Sequence, residues 1–149
     1  AGRLGLPFVF AHHFDQGGTL EALDLYRNAF RPSPALDQPH VVVTANGLVA
    51  DTDEEADWEA GPGRVMIHAI RSGRFAPLLS PEEAAARPEM TLARAAPTNR
   101  INGSPATALA ELDRLLAATR ADEMMVTTVA HGLATRLHSF ELLAGAWPL

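Results

Sequence analysis

Apolar residues in this chain come in short unbroken runs, each followed by a polar loop and then by a stretch with an apolar position every three or four residues. Phe8–Ala11, His40–Ala45 and Met124–Val129 are the clearest runs. They do not alternate with polar residues, as expected of strands buried on both faces of a parallel sheet. Behind the first run, Leu20, Leu23, Tyr26 and Phe30 recur at helical spacing, with Glu21, Asp24 and Asn28 opposite and Thr19 as N-cap. Arg31-Pro32-Ser33-Pro34 stops that helix. Behind the second, Thr52 and Glu55 read as a capping box. The helix it opens carries Ala56, Trp58 and Ala60 until Gly61-Pro62-Gly63 interrupts it, and Arg64–Arg71 resumes it. Behind the third, Leu133, Leu137, Phe140 and Leu143 form the predicted buried stripe of a last helix. Arg100-Ile101-Asn102 reads as a brief further strand. Gly103-Ser104-Pro105 then opens a helix whose buried stripe is Leu109, Leu112, Leu115 and Leu116. This alternation of strand and helix predicts an α/β fold with a parallel sheet. In such folds chemistry sits at the carboxyl ends of the strands.

Elsewhere the pattern is weaker. Asn46-Gly47 fits a hairpin turn or a strand continuing across a bulge, and the early arrival of the next helix favours continuation. Residues 72–100 read as an irregular insertion. Ser80-Pro81-Glu82-Glu83 caps a short helix there, Pro88 ends it, and Ala93–Asn99 has no period and reads as a loop or lid. Ala1–Leu6 reads as the last turn of a helix with Gly5 near its C-cap. A start at that point, without methionine, has two readings: a fragment or processed product, or a trimmed end. Trp147-Pro148-Leu149 reads as a terminal tail.

Composition narrows the classes of function. The length of 149 residues suits one domain with a sizeable core, and a net charge of -6 argues against nucleic acid as a partner. With no cysteine, thiolate nucleophiles, thiolate metal sites and disulfides are excluded. No apolar run reaches the roughly 18 residues of a membrane helix, so no membrane partner is expected and a cytoplasmic location is the default.

The residues that follow each run are the candidate chemistry: His12, His13, Ala45, Asn46, Gly103, Ser104 and His131. Neighbours in a strand point to opposite faces, so at most one of His12 and His13 is expected to face a given pocket. Both also fit structural histidines. Gly103-Ser104 offers free amides at a helix start, which suits either an anion seat or plain capping. There is no Gly-x-Gly-x-x-Gly signature, P-loop or Gly-x-Ser-x-Gly elbow, and no convincing triad, so the catalytic residues stay unknown. No metal site is expected.

Several stretches together resemble the luciferase-like flavin-dependent monooxygenases. They are Leu4–Phe14, Tyr26–Ser33, Ala50–Ala56, Gly103-Ser104-Pro105, Ala121–Thr127 and Arg136–Ala144, in that order along nearly the whole chain. The resemblance implies a partial (β/α)8 TIM barrel, a single domain forming the carboxyl-terminal half, since a full barrel needs about 250 residues. It further implies an oxidoreductase that uses molecular oxygen and reduced FMN supplied by a separate flavin reductase. His12 or His13, with His131, would then lie beside the flavin, and Gly103 and Ser104 would be a second contact. A homo-oligomer, or a complementing amino-terminal half, would complete the site. The alternative is a non-catalytic flavin-binding or structural remnant that needs a partner chain.

Overall fold

The computed structural model describes residues 1–15 and 17–147. Gln16 of the first loop and Pro148 and Leu149 of the expected tail lie outside the described residues. Four strands form one open sheet: β1 (Phe8–Phe10), β2 (Val41–Val49), β3 (Arg100–Gly103) and β4 (Glu123–Thr127). The helices are α1 (Thr19–Ala29), α2 (Asp53–Glu59), α3 (Gly61–Arg71), α4 (Pro81–Ala85), α5 (Met90–Ala95), α6 (Pro105–Thr119) and α7 (Leu133–Ala146). Short 3-10 turns lie at Gly2–Leu4 and His12–Phe14. Contacts divide the chain into two compact units, Ala1–Asn46 with Glu111–Thr127, and Gly47–Ala110 with Thr128–Leu149.

In the first unit, β2 pairs in parallel with β1 (Phe8 beside Val41, Phe10 beside Val43) and with β4 (Val43 beside Met124, Asn46 beside Thr127). The register puts Phe8, Phe10, Val41, Val43 and Met124 on one face. There they pack with Leu23 and Tyr26 of α1 and with Leu115 of α6. Tyr26 anchors this core: its ring stacks on Phe8 at 5.1 Å, its hydroxyl donates to the Leu6 carbonyl at 2.9 Å, and it accepts from the His40 amide at 3.0 Å. Asp122 accepts from the Val41 amide at 2.7 Å while its own amide donates to the Val41 carbonyl, which fixes the entry of β4 beside β2. Arg27 donates to the carbonyls of Thr119 and Arg120, satisfying the end of α6 where Arg120 takes a left-handed conformation.

In the second unit, β2 continues through Asn46-Gly47 without turning back, as the continuation reading expected. Gly47 is required there, because a Cβ would collide with the Ile101 carbonyl. Leu48, Ala50, Ala56 and Ala130 form the local core. The Leu48 amide donates to Asn102 Oδ1 at 3.1 Å, and the Ala50 amide to the Gly103 carbonyl at 3.2 Å.

Several expectations need correction. The first strand ends at Phe10 and the last at Thr127, both short of the predicted limits. The expected break between two helices is there but falls at Ala60, and Gly61-Pro62-Gly63 opens α3, because Pro suits the first helical turn, where its missing N–H costs nothing. Part of the predicted loop, up to Ala95, is helical. The buried stripe assigned to α7 is largely in solvent: Leu133, Leu137 and Phe140 are 60%, 52% and 41% exposed, whereas Ser139 is buried. Ser139 Oγ accepts from the Val49 amide at 2.8 Å, so it is a polar bond to β2 that sets the inner side of this helix.

Candidate functional site

The first unit gathers polar side chains on one face of its sheet. The register that buries Val43 and Ala45 turns Val42, Thr44 and Asn46 of β2 to the other face, together with Met125 and Thr127 of β4. His12 and His13 are not in the strand, since β1 has already given way to a 3-10 turn. That turn frees both rings from the alternation of a strand. His13 Nδ1 lies 2.8 Å from Thr44 Oγ1 and 3.5 Å from the Thr44 carbonyl. A ring nitrogen facing a carbonyl donates, so in the neutral ring Nδ1 carries the proton and Nε2 is the acceptor. Asn46 Nδ2 donates to Thr127 Oγ1 at 3.0 Å, and Thr127 Oγ1 donates to the Ala45 carbonyl at 3.3 Å. His13, Thr44, Asn46 and Thr127 thus share one side of the sheet. The Ala45 side chain belongs to the opposite, buried side and contributes only its backbone here.

His12 is built differently. Thr19 Oγ1 donates to Asp15 Oδ2 at 2.5 Å and so accepts from His12 Nδ1 at 2.8 Å, again leaving Nε2 as the acceptor of the neutral ring. Asp15 also takes the amides of Gly18 at 2.7 Å and Thr19 at 2.9 Å. It is therefore Asp15, not Thr19, that satisfies the open end of α1, and Thr19 is the first residue inside the helix. The Thr19 hydroxyl and these amides hold the Asp15 carboxyl far below the usual carboxylate range. Burial pushes the His12 imidazole below its ordinary value of 6.5, only partly opposed by the Asp15 charge.

In the second unit, the start of α6 has an anion of its own. Asp53 Oδ1 accepts from the Ser104 amide at 2.6 Å, and Thr107 Oγ1 donates to Asp53 Oδ2 at 3.1 Å. These bonds lower the Asp53 carboxyl. Gly103 is close-packed against the same group, where a Cβ would lie 2.7 Å from the Thr107 methyl carbon and 2.9 Å from Asp53. His131 is exposed, with Nδ1 3.3 Å from the Leu78 carbonyl. Among the described residues, Thr128 Oγ1 is a buried side-chain oxygen without a hydrogen-bond partner, directly after the end of β4. Sequence reasoning passed over Thr44, Thr127 and Thr128, which look like ordinary strand residues. It also passed over Asp15 and Asp53, for which the one available signal was a carboxylate close before a helix or in the first turn of one.

Open parallel sheet, flanking helices and polar groups at strand ends define an α/β protein of the kind that works at the carboxyl edge of its sheet. No family model matches the chain. It is 36% identical over 99% of its length to the Bacillus subtilis protein YvbT and 33% identical over 95% to a luciferase-like monooxygenase of Escherichia coli K12. These matches cover 45% and 44% of the two relatives. In solved structures, the crystal structure of apo-MsnO8 superposes on 97% of the chain with a TM-score of 0.87 and 32% identity, covering 46% of that protein. The FMN complex of the oxygenating constituent of 3,6-diketocamphane monooxygenase from Pseudomonas putida covers 92% of the chain and 40% of its own, at 0.55 and 18% identity, which speaks for the fold alone. The chain is homologous to luciferase-like monooxygenases over nearly its whole length, and spans a little under half the length of the relatives it matches.

Proposed function

We propose that this chain is the carboxyl-terminal half of a flavin-dependent, luciferase-like monooxygenase. The observation that carries the reading is the 33% identity, across 95% of the chain, to a luciferase-like monooxygenase. Two features, one in each unit, are in keeping with a flavin. In the first unit, the held ring of His13 offers an acceptor to a ring N–H. The buried, unmatched Thr128 hydroxyl is a polar group that a ligand would satisfy. When bound, reduced FMN from a separate reductase supplies the activation of molecular oxygen. The chain's own part is to position and to exclude water. His13 is the first choice for flavin contact, steadied through Nδ1 by Thr44. Asn46, held through its amide by Thr127, keeps its side-chain carbonyl as a second acceptor. Val42 and Met125 on the same face form an apolar wall beside these groups. His12 is a further candidate in the first unit and His131 in the second. Ala45 is a backbone candidate, and Gly103 and Ser104 rank last because Asp53 holds the Ser104 amide.

The exposed apolar residues Val9 and Met125 in the first unit and the Leu133–Leu137–Phe140 stripe in the second favour a partner: a second copy or a complementing amino-terminal half. They equally favour a second reading, a flavin-binding or structural remnant that acts only when joined to that partner. Fluorescence titration with FMN tests the flavin contacts, and oxygen-dependent turnover of reduced FMN, seen only with the first reading, separates the two. Binding that weakens about tenfold in His13→Ala, roughly the loss of one hydrogen bond, supports the flavin site. Equal binding in His13→Ala and Asn46→Ala refutes these contacts, and no binding at all in the presence of a complementing half refutes the monooxygenase reading.

A further inference from the structure

Charge is unevenly spread in this acidic chain. Within the second unit, a cleft of about 40 Å³ between α3, α5 and the start of β3 is lined by Arg64, Arg71, Arg94, Arg100 and His68. One carboxylate serves the four guanidinium groups. Asp57 lies 2.6 Å from Arg64 and 3.0 Å from Arg94, while Arg71 and Arg100 form no ion pair among the described residues. Arg71 is exposed and needs no partner, but Arg100 is partly buried. Both its burial and the adjacent Arg64 disfavour its charge. The fold nevertheless makes room for it: a Cβ at Gly63 would lie 2.9 Å from Arg100 Nη1, so glycine at that position lets the guanidinium lie against the backbone of α3. Two adjacent guanidinium groups, of which Arg64 alone is paired with a carboxylate, are a costly arrangement unless a further anion joins them.

We propose that this cleft binds a tetrahedral oxyanion of the phosphate class, held by Arg64, Arg71 and Arg100. Guanidinium groups present N–H donors in a rigid fork that matches phosphate oxygens, and several forks converging suit a dianion better than a halide. The group would be either a free ion or the phosphoryl end of a larger molecule that stays outside. The site is built entirely from residues of one unit and does not depend on the flavin reading.

Calorimetric titration with inorganic phosphate, at ionic strength held constant with chloride, tests the assignment. Saturable binding of one phosphate per chain is expected, with a rise in Tm that chloride does not reproduce. Arg100→Gln and Arg71→Gln should each weaken binding at least tenfold, and Arg3→Gln, outside the cleft, should not. If Arg100→Gln fails to fold, the exposed Arg71→Gln carries the test. Competition by FMN but not by riboflavin would assign the grip to a phosphoryl group, and competition by neither would assign it to the free ion. Equal stabilisation by chloride, or wild-type affinity in Arg71→Gln, overturns the proposal.

Discussion

His12 and Asp15 show how a few atoms set the character of a loop. One carboxylate takes two amides and the Thr19 hydroxyl, and that hydroxyl in turn fixes the His12 ring. Both groups titrate below their ordinary values, so both bind fewer protons when folded than when unfolded, and stability rises with pH. The His12 contribution is complete above about pH 6.5 and fades as pH falls through its lowered value; the Asp15 contribution fades only in acid, below about pH 4. NMR titration should place His12 below 6.5, and Asp15→Asn should lower it further by removing the anion that partly supports the imidazolium. A parent value above 6.5 would refute this ordering of burial over charge, and a rise in Asp15→Asn would refute the support from the Asp15 charge. Asp15→Ala should also lower Tm, since the start of α1 loses its acceptor.

At the scale of elements, β2 holds the sharpest steric requirement. Gly47 faces the Ile101 carbonyl so closely that any side chain must push β3 away. Gly47→Ala should therefore destabilise by about 1–3 kcal/mol, the usual cost of overpacking. A denaturant midpoint unchanged from the parent would show that β3 yields freely. The strands and most helices were legible in the sequence because unbroken valine runs and capped amphipathic stretches depend on local pattern. The full capping box at Ser80 and the Thr52 cap on the Glu55 amide lie where they were read. What was not legible depended on contacts distant in sequence. The histidine pair leaves the strand, and the partner that His13 then meets is Thr44, 31 positions away. The anion seat at Gly103-Ser104 could not be judged without knowing that Asp53, 51 positions earlier, approaches it.

For the molecule as a whole, the error at α7 is the instructive one. Periodicity identifies which residues of a helix share a face, but not what covers that face. Leu133, Leu137 and Phe140 do share one, as the pattern required, and nothing within the second unit buries it. Apolar stripes of this kind mark association surfaces. Light scattering should therefore give a mass above the 15.9 kDa of one chain. A well-folded species at that mass, with Leu137→Glu no more soluble than the parent, would count decisively against association through this stripe.

Asp53 bears on selectivity in another way. Its carboxylate is covalently part of the chain, so at the first turn of α6 it acts as a tethered competitor. A tethered group has an effective concentration in the millimolar range or above, without any dependence on what the solution contains. Any dissolved anion seeking the Ser104 amide must outbid a rival that never diffuses away. The start of this helix is in effect insulated from the cell's phosphate, and anion recognition in the second unit is left to side chains that carry charge of their own.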